Sequence, residues 1–198
     1  MIFKMRAGVW GWLVGASLLM GTTANAEGLV GKSAPEFSLL DQDGKSHSLS
    51  AYKGKTVVLE WTNPRCPFVV RHYDAGTMKR LAEAGAKDDV VWLAVNSSHF
   101  TNAAESKAWA VKYGHTFPTL HDADGKVGRA YGAKTTPHMF VIDGKGTVRY
   151  EGAIDADAWI EDPKAENYVA SAIKQIKERG VVVKPAVKAY GCSVKYKR

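Results

Sequence analysis

The chain is poor in sulfur and, beyond its first 26 residues, has no long apolar run. Only two of its 198 residues are cysteine, Cys66 and Cys192, too few for a disulfide-stapled mini-domain or a four-cysteine zinc site. The six histidines include no i,i+4 pair and no ligand spacing, so neither a metal nor another cofactor is expected. Asp122-Ala123-Asp124-Gly125 starts like a calcium loop but lacks the later glutamate, which leaves a turn. There is no internal repeat, no low-complexity tract and no basic-aromatic platform, so nucleic acid is not an expected partner. A charged fraction of 24% with 45% hydrophobic residues excludes a disordered chain and a multispan membrane protein. The length suits one domain with appendages.

What is present begins with an address. Lys4 and Arg6 precede an uncharged apolar stretch, residues 7–21, and Ala24-Asn25-Ala26 supplies small residues at a cleavage site. This reads as residues 1–26 forming a secretory signal peptide, with an uncleaved membrane anchor as the alternative. Cleavage after Ala26 leaves 25 basic against 20 acidic residues, a net charge of +5, in a periplasmic or secreted protein. An oxidising compartment allows disulfides to persist.

In residues 27–180 the hydrophobic period alternates between two and 3.6. Residues 36–40 and 47–49 flank Asp43-Gly44 as a hairpin. Residues 56–61, 90–95 and 136–142 are short apolar runs suited to buried strands, and 147–150 is a fourth strand after the turn at Asp143-Gly144. Residues 67–84 read as one helix opened by Pro67, residues 103–113 as a second ended by Gly114, and residues 165–179 as a third ended by Gly180. Strands alternating with helices indicate an α/β sheet covered on both faces. Residues 181–198 have no helical period and read as an extended basic tail laid on the domain, carrying Cys192.

Chemistry is expected where strand 56–61 meets the following helix, at Asn63-Pro64-Arg65-Cys66-Pro67. A cysteine in a first helical turn lies near unpaired N–H groups and the positive end of the dipole, which favour thiolate. Arg65, Arg71 and His72 add positive charge to that end. The competing reading is an inert cysteine packed under the helix. Pro137, opening a strand, needs an edge position or a special geometry such as a cis bond. His138 follows it, and either His72 or His138 is placed to neighbour Cys66 and shuttle a proton or to act as a structural hydrogen-bonder.

The run Gly31-Lys32-Ser33-Ala34-Pro35-Glu36-Phe37, the Cys66-Pro67 helix start, Thr136-Pro137 and Asp143-Gly144-Lys145-Gly146 stand in an order that resembles the redoxin branch of the alkyl hydroperoxide reductase/thiol-specific antioxidant (AhpC/TSA) family. Tyr190-Gly191-Cys192-Ser193-Val194-Lys195-Tyr196 resembles the ending of a bacterial thioredoxin-like subgroup. The likeness spans residues 29–196. It implies a thioredoxin-like fold, a mixed central sheet with helices on both faces, an N-terminal hairpin extension and a C-terminal tail. It also implies thiol redox chemistry: Cys66 as the reactive thiol, Asn63, Pro64, Arg65 and Pro67 as its surroundings, and Thr136, Pro137 and His138 as the opposite wall of a substrate groove. A peroxide or a protein disulfide is the expected substrate, with a thiol electron donor as partner.

The departures are specific. In the Cys-x-x-Cys window, read as Asn63-Pro64-Arg65-Cys66, the first cysteine is missing. In the peroxiredoxin pattern Pro-x-x-x-Thr-x-x-Cys, Leu59 and Asn63 replace the proline and threonine, and Pro137 stands at the arginine position. Thr62 replaces the first cysteine of a copper-chaperone site. Cys192 is the remaining sulfur. The dozen residues from Gly180 to Cys192 reach ~40 Å when extended, against a radius of gyration of ~16 Å. Cys66 and Cys192 can therefore form a working couple within a chain or across a homodimer. They can equally form a structural staple worth ~4–5 kcal/mol, or never meet. A Gly-flanked, mobile Cys192 favours the couple. The alternative from another class is a non-catalytic binding or metallochaperone-like protein using the same groove.

Overall fold

The computed structural model describes residues 28–197; the expected signal peptide lies outside the described residues. Three parallel strands, β3 (Val57–Trp61), β4 (Val91–Asn96) and β5 (Thr119–His121), are joined by two antiparallel ones, β7 (His138–Ile142) and β8 (Val148–Gly152), in the order β5-β4-β3-β7-β8. Two short pairs flank this sheet. One is the hairpin of β1 (Ser38–Leu40) and β2 (Ser46–Ser48). The other joins β6 (Thr135–Thr136) to β9 (Cys192–Ser193).

The central strands read as continuous apolar runs because both sides of the sheet are covered. Val58, Trp92, Ala94, Met139, Val141 and Tyr150 face a core closed by the helices α1 (Pro67–Asp74), α2 (Thr77–Ala86) and α5 (Tyr168–Arg179). Trp109 and Tyr113 of α3 (Ala103–Tyr113) lean on that core through Tyr73. Val57, Leu59, Trp61, Leu93, Val95, Phe140 and Ile142 face the other way. There they meet Phe37, the 3-10 turn Leu49–Tyr52 and Tyr131 of α4 (Lys126–Tyr131). The mixed sheet with helices on both faces is thus the expected fold.

Several boundaries follow from single residues. Asn102 accepts a hydrogen bond from the Glu105 N–H at the start of α3, and Gly114 ends the helix at φ 59°. The expected single helix 67–84 is two helices. Gly76 takes φ 67°, a left-handed conformation that glycine adopts without a Cβ clash, and breaks the run after Ala75. The last helix starts at Tyr168 rather than at 165, because Asn167 accepts from the Ala170 N–H and caps it there. The short unit β5–α4 was not expected. Asp122 organises it, its carboxylate accepting from Ser97 Oγ and from the N–H groups of Val127 and Gly128. The stretch from Asp122 to Gly125 is the turn expected of it, closed by Gly125 N–H to Asp122 C=O at 2.9 Å.

The tail is laid on the domain along two edges. Glu151 N–H donates to Pro185 C=O and Val187 N–H to Glu151 C=O, extending the sheet beyond β8. Farther on, Val194 N–H donates to Lys134 C=O, Tyr196 Oη to Ala133 C=O, and the Arg129 guanidinium lies over the Tyr196 ring. Cys192 sits between these anchors.

Candidate active site

β3 ends at Trp61, and the next residues turn sharply. Thr62 N–H donates to Val95 C=O, holding the chain at the sheet end, and Asn63 Oδ1 accepts from Arg65 N–H at 2.9 Å. Asn63 C=O then accepts from Cys66 N–H, and Cys66 C=O accepts the first helical bond from Val70 N–H. Cys66 is therefore the N-cap of α1, with Pro67 at the first helical position. This placement corrects the window used to judge the missing partner. Side chains three apart share a helix face, so a second sulfur in this first turn would stand at Val69, not at Asn63. The local motif is Cys66-Pro67-Phe68-Val69, with its last position apolar and fully buried.

The opposite wall is the segment before Pro137, whose peptide bond with Thr136 is cis. Cys66 Sγ donates to the Thr136 carbonyl at 3.0 Å. Thr136 pairs antiparallel with Cys192, and Thr135 with Ser193. That register sets Cys192 beside the residue whose carbonyl Cys66 binds, and both cysteines are free.

The two thiols differ in acidity. Burial pushes the Cys66 thiol up. Hydrogen bonds from the Thr136 hydroxyl, the Cys192 thiol and the N–H groups of Val69 and Cys192 outweigh burial and bring it below the ordinary range. Cys192 is pushed up to about 11, first by burial, then by its hydrogen bond to Cys66 and that neighbour's charge. Of the two thiols, Cys66 is the more acidic.

The expected cationic help is absent from the sulfur. Arg65 Nη2 binds Glu105 Oε1 at 2.9 Å, and its guanidinium lies over Phe100. Arg71 covers the Trp159 ring at 4.1 Å. His138 is pushed down to about 4, first by burial and then by Lys134; its Nδ1 accepts from Lys134 N–H, and its ring packs on Phe140. His72 is fully buried, held neutral by that burial, and engages Tyr190 Oη through Nε2 at 2.8 Å. Neither imidazole is a charged neighbour of the thiolate.

Two participants had only faint sequence signals. Tyr190 Oη donates to Asp155 Oδ1 at 2.6 Å while accepting from His72, so the residue two before Cys192 is fastened under α1. Its signal was an aromatic beside Gly191-Cys192. Glu60, a charge in the middle of an apolar strand, is fully buried on the Cys66 side of the sheet. Its carboxyl accepts from Trp92 Nε1 at 3.0 Å and is pushed up to about 7 by burial. Among the described residues no cluster of three or more His, Cys, Asp or Glu is positioned to hold a metal.

An N-cap cysteine facing a cis-proline loop on a thioredoxin-like sheet makes this a redoxin fold, and the chain is similar to known proteins. The AhpC/TSA family profile matches residues 30–151. The thiol-disulfide oxidoreductase ResA of Geobacillus thermodenitrificans (strain NG80-2) is 34% identical over 139 residues, covering 70% of this chain and 76% of that protein. The chloroplastic peroxiredoxin Q of Triticum aestivum is 34% identical over 136 residues, covering 61% of this chain and 57% of that one. The crystal structure of a hypothetical protein from Sinorhizobium meliloti 1021 superposes with a TM-score of 0.76 at 26% identity, over 85% of this chain and 94% of that chain. The chain belongs to the AhpC/TSA family.

Proposed function

We propose that the protein is an exported thiol oxidoreductase in which Cys66 is the reactive thiol and Cys192 its resolving partner. The observation that carries this reading is the Thr136–Cys192 pairing, which sets the less acidic Cys192 beside the wall residue that lowers the Cys66 thiol. The Cys66 thiolate attacks a peroxide oxygen, or one sulfur of a disulfide, and the O–O or S–S bond breaks. Cys66 becomes a sulfenic acid or a mixed disulfide. Cys192 then attacks the Cys66 sulfur and expels water or the substrate thiol. The products are a Cys66–Cys192 disulfide and a substrate reduced by two electrons. A thiol donor returns the pair to the dithiol.

Asn63 and Pro64 shape the turn that delivers Cys66, and Pro67 opens its helix. Thr136 supplies both a carbonyl and a hydroxyl to the sulfur, with Pro137 and His138 continuing that wall. The relatives named thiol-disulfide oxidoreductase and peroxiredoxin support thiol chemistry of either kind. The basic, apolar and Ala24-x-Ala26 segments support export, with cleavage after Ala26 ahead of a domain spanning 27–180 and a tail of 181–198.

The test is peptide mass spectrometry after stoichiometric hydrogen peroxide, with free thiols alkylated. The expected result is conversion of two alkylatable thiols into a Cys66–Cys192 bridge, and a trapped Cys66 sulfenic acid in Cys192→Ser. Two thiols that stay free and unreactive would overturn the reading. So would a bridge that is already complete and resists mild reductant.

A further inference from the structure

The reactive sulfur is nearly sealed. Cys66 is 1% exposed, and part of what covers it is the chain's own tail. Cys192 and Ser193 pair along Thr135–Thr136 as an extended strand would on an open edge. Gly191 lies so close that a Cβ there would run into the Thr136 carbonyl, and its φ of 119° is one that side chains resist. Tyr190 lies alongside Phe68 and His72 and is fixed by its hydroxyl between His72 and Asp155. On the other side, Val194 and Tyr196 tie the strand to Lys134 and Ala133.

We infer that residues 190–194 are a tethered occupant of the groove in which an incoming polypeptide would pair with Thr136, so that Cys66 selects its oxidant by size. A hydroperoxide or a low-molecular-weight disulfide needs only a small gap beside the strand to reach the sulfur. A disulfide in a folded protein reaches it only after the strand unpairs. This rests on Cys66 being the reactive thiol, and it adds which substrates that thiol meets. The selection is steric. Exchange with a disulfide needs three sulfurs in line, and the backbone of 191–193 occupies the edge along which a polypeptide would present them. The strand is short and contributes a small local opening free energy, so it acts as a filter rather than a permanent seal.

The experiment uses the full chain carrying Cys192→Ser, which keeps the backbone pairing and leaves one thiol. Loss of the free Cys66 thiol is timed by quenched alkylation and mass spectrometry with hydrogen peroxide, 2-hydroxyethyl disulfide or insulin as oxidant. The small disulfide is expected to consume Cys66 about 100-fold faster than insulin, the scale of a local opening step. Gly191→Ala, which pushes the strand off Thr136, should narrow that gap about tenfold. Tyr190→Phe, which removes one fastening without altering the strand backbone, should narrow it in the same direction. A gap below about threefold in Cys192→Ser, or one that neither variant narrows, overturns the filter and leaves the thiol chemistry standing. Failure of Cys66 to react with any of the three oxidants removes the oxidoreductase reading itself.

Discussion

The two sides of the central sheet have the same depth of burial and opposite chemistry. On one side Val57, Leu59, Trp61, Leu93, Val95, Phe140 and Ile142 are packed with carbon, and Trp61, Tyr131 and Phe140 form an aromatic knot with ring centroids 5.2–5.3 Å apart. On the other, the Glu60 carboxyl accepts from Trp92 Nε1 among apolar neighbours, and the helix covering them begins at Cys66. One side holds the strands in register. The other tolerates an unneutralised carboxyl and a reactive thiol because the first side already fixes the sheet. Stability and chemistry are thus separable by strand parity, and adjacent residues of β3 should answer differently to substitution.

The largest effect expected is that of Leu59→Ala, which empties a fully buried site on the carbon side. It should lower unfolding free energy by about 2–5 kcal/mol, read from the urea midpoint, while the alkylation rate of Cys66 in the folded protein stays unchanged. A parallel change in that rate would mean that the two sides are not separable.

Glu60→Gln comes next, and its sign depends on pH. The folded protein holds the Glu60 proton up to about pH 7, whereas an unfolded carboxyl loses it near 4.5. The group therefore becomes a growing liability as pH rises from 4.5 to 7. Removing it should stabilise the fold by ~1–3 kcal/mol at pH 8 and by little at pH 4.5. His115 and His138 work in the opposite sense. Their folded values are held down to about 4, so their contribution is complete above 6.5 and is lost as pH falls toward 4. In Glu60→Gln that acid loss is no longer offset, and the stability curve between pH 7 and 4 should steepen. An equal increment at every pH would show that the buried proton is not at Glu60.

The smallest change in stability, within about 1.5 kcal/mol, is expected for Val69→Cys. Combined with Cys192→Ser, it should recover a peroxide-driven disulfide, now between Cys66 and the thiol introduced one helical turn away, found by the same peptide mapping. Absence of that bridge in a folded variant would argue against position 69 as the face partner of Cys66.

Much of the fold is legible in the sequence because strands buried on both sides leave unbroken apolar runs, and because Gly114 and Gly180 mark helix ends with a left-handed conformation that few other residues take. The break at Gly76 was written in the chain too, but the apolar period continues across it and masks it. Three residues of β5 and six of α4 are too short to show any period. At the site, Cys66 and Thr136-Pro137 stand out locally. The partnership of Cys66 with Cys192 does not, since it depends on a strand pairing between residues 56 apart, and reach alone permits it without requiring it. Nor can a sequence tell that Arg65 turns toward Glu105 and Phe100 instead of the sulfur.

The tail's two anchorages, Val187 on Glu151 and Val194 on Lys134, carry a further consequence for how this protein can change. Because side chains alternate across a strand, inserting or deleting a single residue between them reverses which of residues 192 and 193 faces Cys66. The six positions from 188 to 193 are therefore constrained in number more tightly than in kind. Exposed Lys188 and Ser193 can be replaced freely, whereas a one-residue frame shift in this stretch silences the second sulfur while leaving every residue type intact.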